Sequence, residues 1–131
     1  MTKLLVMKLM ELHQSIPLWR GVFHLTYVTN TGAAFSLFSQ NPIGLKWISL
    51  LVSLGLVILG WRARNWHPWE KVGFGLILAG AAGNGIDRFL YGYVIDFLDL
   101  RLIRFPVFNV ADVCINLGLA CLLVYLWQHP R

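Results

Sequence analysis

Apolar residues fill three long stretches of this chain, and the polar positions inside and between them set what each stretch does. The first runs from Ile43 to Trp61, interrupted only by Lys46 near one end, where a long side chain reaches the headgroup layer of a bilayer. At about 1.5 Å of rise per residue, the run matches a hydrocarbon core about 30 Å thick. The second runs from Trp69 to Leu90, where Gly73, Gly75, Ala79, Gly80, Ala81, Ala82, Gly83 and Gly85 leave little side-chain bulk. So bare a helix predicts another backbone in close contact. The third runs from Val110 to Trp127, with Asp112 in its first turn and Asn116 one turn further on. Three clear transmembrane helices are therefore predicted. Trp47, Trp61, Trp66, Trp69, Tyr91, Tyr93, Tyr125 and Trp127 fall near their ends, as interfacial aromatics do.

The connections carry a different pattern. Between Pro17 and Pro42, the run Val22-Phe23-His24-Leu25-Thr26-Tyr27-Val28-Thr29 is rich in β-branched and aromatic residues and ends in Asn30-Thr31-Gly32, a turn signal. Tyr91 to Phe108 alternates similarly and stops at Pro106. These segments predict a small extramembrane β-sheet at one membrane face. Ahead of them, Met1, Leu4, Leu5, Met7, Met10 and Leu12 are interleaved with Lys3, Lys8 and Glu11; that stretch is too charged to span and suits the interface.

Composition agrees with the pattern. Of 131 residues, 57% are hydrophobic and 13% charged, and the mean hydropathy is +0.63, which excludes an ordinary soluble domain. One integral-membrane domain over residues 1–131 is expected. The net charge of +5 comes without a basic run interleaved with aromatics, so nucleic acid is not an expected partner; Lys and Arg beside apolar segments fit anionic headgroups. Cys114 and Cys121 lie on one apolar helix and read as small hydrophobes. No His or Cys spacing indicates a metal, and no phosphate-binding loop or nucleophile elbow is present.

The acids carry what chemistry there is. Asp96 and Asp112 each sit at the margin of an apolar segment, and an ionised side chain near hydrocarbon costs about 2.5 to 3.5 kcal/mol on insertion scales. Spacing alone makes Asp112, three residues after Asn109, a helix-capping acid. Asn84, Asp87 and Arg88 are spaced to meet on one helix face, which reads first as a structural network in which Asp87 pairs with Arg88 and orders the helix end.

Asn30-Thr31-Gly32-Ala33-Ala34-Phe35-Ser36, Gly83-Asn84-Gly85-Ile86-Asp87-Arg88, Gly92-Tyr93-Val94-Ile95-Asp96-Phe97 and Phe108-Asn109-Val110-Ala111-Asp112 resemble, in order, the signature blocks of the bacterial lipoprotein signal peptidases (signal peptidase II). The resemblance implies an aspartic endopeptidase, in the family a bundle of four transmembrane helices, that cleaves a prolipoprotein immediately before its diacylglyceryl-modified cysteine. It places the catalytic role on Asp96 and Asp112, with Asn30, Gly32, Asn84, Arg88, Asn109 and Ala111 binding substrate or shaping the site and Asp87 in the supporting polar network. Asn30 and Asn109 are expected to reach the substrate backbone. Two carboxylates sharing a site do not readily both ionise; Asp112, at a helix start, is the better candidate for the ionised member. No metal or cofactor is implied. The expected partners are the lipidated prolipoprotein and membrane lipids, and the expected state is a monomer.

Two departures from the family pattern stand out. Gly85 replaces a bulky residue and Ala79 a glycine. Thr2-Lys3 resembles the tail of a motif that closes the family's first spanning helix, so the reading is of a chain lacking that helix, through a late assigned start or truncation. Cation density around Arg62, Arg64, Lys71 and Arg131 marks their side as cytoplasmic, which puts the aspartates at the outer face of the bacterial inner membrane. Two other readings stay open: a non-catalytic membrane subunit such as a proton- or ion-conducting component, and an inactive truncated peptidase.

Overall fold

A computed structural model describes residues 1–32, 41–63 and 65–130 of the chain. The second half of the first motif, Ala33-Ala34-Phe35-Ser36, and Arg64 and Arg131 lie outside the described residues. The order of elements is α1 (Thr2–Leu9), β1 (Ser15–Trp19), β2 (Phe23–Asn30), α2 (Pro42–Arg62), α3 (Pro68–Leu90), β3 (Val94–Leu100) and α4 (Val110–Gln128).

Each long helix starts on a local signal. Asn41 caps α2 by accepting the Gly44 N–H, with Pro42 just inside the helix. His67 and Glu70 form a capping box at α3, and Asn109 and Asp112 form another at α4, so the first orphan N–H groups of each helix find acceptors.

Two helices, not the three predicted, are long and apolar enough to cross a membrane: Ile43–Arg62 and Val110–Gln128. The predicted middle span forms a helix, but α3 carries Glu70, Lys71, Asn84, Asp87 and Arg88, and its many small residues contribute little apolar character to offset them. With α1 only eight residues long, the described residues hold four helices, of which two qualify.

The bare face of α3 meets α4. A Cβ on Gly73 would lie 2.9 Å from the Gly118 carbonyl, and one on Gly118 would lie 2.6 Å from the Gly73 carbonyl. At Gly80 a Cβ would collide with the Ala111 carbonyl. The two backbones touch where side chains are missing, as small-residue helix packing requires. Gly80→Val is therefore expected to force the helices apart at the end where Asn84 and Asp112 meet, lowering stability by about 1 to 3 kcal/mol; thermal unfolding in detergent measures it.

The three strands form an open antiparallel sheet in the order β1-β2-β3. Thr29 pairs with Ile95 and Val28 with Asp96, after an irregularity between Leu25 and Val28. A bridge between Leu98 and Phe108 leads the chain from the sheet to α4. The α1 stretch does not simply lie along an interface: Val6 and Met10 pack with Tyr27, Ile95 and Phe97 into the hydrophobic cluster beneath the sheet, while Leu4, Leu5 and Leu9 remain exposed. Gly92, at φ +81°, makes the turn from α3 into β3 in a conformation that favours glycine, four residues before Asp96.

Candidate active site

The C-terminal end of α3, the N-terminal end of α4 and strand β3 converge, and each brings polar side chains to the junction. Asp96 points from β3 and is 2% exposed. Its Oδ1 accepts from Asn109 Nδ2 at 2.7 Å and its Oδ2 from Asn30 Nδ2 at 3.2 Å. Asp112 uses Oδ2 to accept the Asn109 backbone N–H at 3.0 Å and Oδ1 to accept Asn84 Nδ2 at 2.7 Å. The capping geometry read from the sequence is thus real, and one oxygen of Asp112 still faces the polar junction.

Two amides join the carboxylates. Asn109 Nδ2 donates to Asp96 Oδ1 and also to Asn84 Oδ1 at 3.1 Å, while Asn84 Nδ2 donates to Asp112. Asn109 Oδ1 accepts the N–H groups of Ala111 at 2.7 Å and Asp112 at 3.2 Å. Both amide hydrogens of Asn109 and both lone pairs of its carbonyl are engaged inside the protein, and the residue is 0% exposed. Its side chain holds the junction together.

Burial pushes the Asp96 carboxyl up to about 6, with the negative charge of Asp112 acting in the same direction and the hydrogen bonds from Asn109 and Asn30 opposing it. Asp96 and Asp112, with Asn30, Asn84 and Arg88, line one cavity of about 1020 Å³. Its apolar walls come from Leu45, Ile48 and Val52 of α2, Ile115 of α4 and the Phe105–Phe108 segment. The cavity is polar at the carboxylates and apolar along α2, Ile115 and the Phe105–Phe108 segment.

Asp87 and Arg88 do not pair with each other, contrary to expectation. Asp87 Oδ2 lies 2.6 Å from Lys3 Nζ and accepts the Ile95 N–H at 3.1 Å, fastening α1, α3 and β3 at one atom. Arg88 faces the other way: Nη1 donates to Ser49 Oγ and Nη2 to the Gly32 carbonyl, each at 3.1 Å. The Gly32 N–H in turn donates to Asn30 Oδ1 at 2.9 Å.

Lys3 and Ser49 were missed in the sequence. Lys3 Nζ also donates to Asn84 Oδ1 at 2.8 Å, so together with Asn109 Nδ2 it fixes which end of that amide faces Asp112. The signal was a buried acid, Asp87, in need of a cation. Lys3 instead reads, with the other basic residues, as a headgroup anchor. Among the described residues, no three His, Cys, Asp or Glu side chains come together as a metal site requires.

Fold and junction together define a helical membrane protein with a cavity built around two amide-bridged carboxylates. The family described as "Signal peptidase (SPase) II" matches residues 1–128. The lipoprotein signal peptidase of a Cyanothece species is 61% identical over 130 residues, which cover 97% of this chain and 75% of the relative. That of Thermosynechococcus vestitus is 59% identical over 118 residues, covering 90% and 74%. A bacterial membrane enzyme solved by the in meso method at 2.3 Å resolution superposes with a TM-score of 0.88 at 29% identity, covering 97% of this chain and 79% of that one. The chain belongs to the signal peptidase II family, and is accordingly a membrane peptidase.

Proposed function

We propose that Asp96 and Asp112 are the catalytic pair with which this chain removes signal peptides from diacylglyceryl-modified prolipoproteins, cutting before the lipidated cysteine. As a member of its family the chain is an aspartic peptidase of prolipoprotein processing. The observation that carries the residue assignment is the amide bridge Asp96–Asn109–Asn84–Asp112 at the polar end of one cavity.

Asp112 acts as the base. The Asn109 N–H it accepts and the dipole of the helix start favour its negative charge, and it takes a proton from a water held between the carboxylates. The hydroxide attacks the carbonyl carbon of the residue preceding the lipidated cysteine. Asp96, whose proton affinity burial raises, is the member that carries the proton, and in that form it donates to the developing oxyanion. Collapse of the tetrahedral intermediate breaks the C–N bond, with the proton held by Asp112 passing to the leaving nitrogen. The products are a carboxyl-terminated signal peptide and a free amine on the cysteine.

The apolar half of the cavity supports a substrate that enters from the bilayer. Acyl chains anchored there set the depth of the scissile bond, and such positioning contributes rate as well as affinity. The sheet and both carboxylates lie at the same end of the helices, while Arg62 and Lys71 sit at the other. Cation density at that opposite end supports an active site at the extracytoplasmic face of the inner membrane. The monomer, with all catalytic and supporting groups supplied by one chain, is the working unit.

The test is cleavage by the purified protein of a diacylglyceryl-modified prolipoprotein beside its unmodified counterpart. The lipidated form is expected to be turned over at least about 100-fold more efficiently. Equal turnover of the two would mean a general intramembrane protease.

A further inference from the structure

We infer that Ser49 on α2 is a positioning residue for this peptidase, acting through Arg88 and the Asn30–Gly32 turn upon Asp96. The inference rests on the catalytic reading above.

Of the described α2 residues facing the cavity, Leu45, Ile48, Ser49 and Val52, only Ser49 is polar. Its hydroxyl oxygen accepts Arg88 Nη1 at 3.1 Å, while Arg88 Nη2 donates to the Gly32 carbonyl at 3.1 Å. Two separate acceptors on two separate elements fix the plane of the guanidinium. From Gly32 the path continues by its N–H to Asn30 Oδ1 and by Asn30 Nδ2 to Asp96 Oδ2. A serine in a membrane-crossing helix is thus linked by four consecutive hydrogen bonds to a carboxylate on a strand.

The close approach of α2 to α3 places that serine. A Cβ added to Gly85 would lie 3.5 Å from Ser49 Cβ, ordinary contact distance, so the helices are already packed there with no side chain between them. Gly85 precedes Arg88 by three residues, roughly one turn, which lets Arg88 meet the Ser49 hydroxyl beside the contact.

Arg88 depends on that acceptor. Its Nε is buried and has no hydrogen-bond partner among the described residues. Without the Ser49 hydroxyl, Nη1 becomes a second unmet donor on one cation, an expensive state in a mostly buried setting. The guanidinium then reorients toward other acceptors and releases the Gly32 carbonyl, which shifts the Asn30–Gly32 turn and with it the hydrogen bond from Asn30 to Asp96.

Ser49→Ala is expected to lower kcat about tenfold with KM changed less than about twofold, since the loss falls on the geometry of a catalytic group. Ser49→Thr, which keeps the hydroxyl, is expected to recover most of that loss. Ser53→Ala removes a hydroxyl that among the described residues bonds only its own helix, to the Ser49 carbonyl, and is expected to leave kcat unchanged. The decisive measurement is a double-mutant cycle: in an Asn30→Ala background, Ser49→Ala is expected to cost little more, because the path is already cut.

Ser49→Ala with wild-type kcat overturns the inference, and so does an equal fold-loss with and without Asn30. If the alanine variant does not fold, Ser49→Cys, close in shape and a weak acceptor, carries the same cycle. Wild type and Asp96→Asn run in the same assay separate the two levels. An inactive wild type or an active Asp96→Asn defeats the catalytic reading, and the Ser49 inference falls with it; if both controls behave, a silent Ser49 defeats only the inference.

Discussion

Asp96→Asn and Asp112→Asn are each expected to abolish cleavage of lipidated prolipoprotein, with losses of about a thousandfold or more. Asparagine keeps the shape of each side chain and removes the group that titrates. The change is not silent structurally, because all four carboxylate oxygens accept N–H donors. An amide placed there turns one –NH2 against another donor, which costs about 1 to 3 kcal/mol. At Asp96 the loss of a buried charge offsets part of that cost, so Asp96→Asn is expected to unfold closer to wild type than Asp112→Asn. Thermal unfolding run beside the assay separates a folded, inactive enzyme from an unfolded one. Full turnover by either variant would exclude the pair.

The same assignment fixes a pH profile. The Asp96 carboxyl stands above its ordinary value, at about 6, chiefly because it is buried. The reaction needs its proton, so kcat/KM of the wild type is expected to fall as pH rises through about 6 and to approach a tenfold loss per unit beyond it. The stability linkage has the same sign. A buried acid with a raised value binds its proton more tightly folded than unfolded, so its contribution declines as pH climbs from the ordinary carboxylate range to about 6 and is level above that. A profile flat from pH 5 to 8 would remove Asp96 from the proton-donor role.

Much of this was legible in the chain because its signals are local. The first and third apolar runs end within a residue or so of α2 and α4, since the caps that start those helices, Asn41 and Asn109, are themselves sequence features. The bare face of the second run announced the close contact that Gly73 and Gly118 make. The number of spans was not legible in the same way: length and small residues gave α3 the outline of a span, while its charged and polar residues take it out of that class. The Asp87–Arg88 pair failed for a geometric reason. Consecutive residues on a helix point about 100° apart, so Asp87 turns toward α1 and β3 while Arg88 turns toward α2. The motif blocks brought Asn84 and Asn109 to the site, but no spacing rule announces that their amides bridge across 25 positions of sequence. The same distance problem hid Lys3, whose partners lie 81 and 84 positions away.

Lys3→Met is expected to lower stability by about 3 kcal/mol and activity with it. Methionine matches the length of lysine and its apolar stem, so what is removed is the ammonium. The Lys3 side chain is 13% exposed, and its ammonium holds Asp87 Oδ2 at 2.6 Å and Asn84 Oδ1 at 2.8 Å. Without it, Asp87 is left as a buried carboxylate supported only by the Ile95 N–H among the described residues, and breaking one side of a buried pair is costlier than removing both. Asn84 keeps the Asn109 donor on its carbonyl but loses the shorter one from Lys3, so its –NH2 is held less firmly toward Asp112. The variant Lys3→Met/Asp87→Leu removes both charges and is expected to regain much of the lost stability. Activity is not expected to return fully with it, because the Asn84 carbonyl still lacks the Lys3 donor. Chemical or thermal unfolding of the two single variants and the double gives the coupling directly. If the double costs the sum of the singles to within about 0.5 kcal/mol, the two side chains do not interact. If the double also recovers full turnover, orientation of Asn84 by Lys3 is not what the site needs.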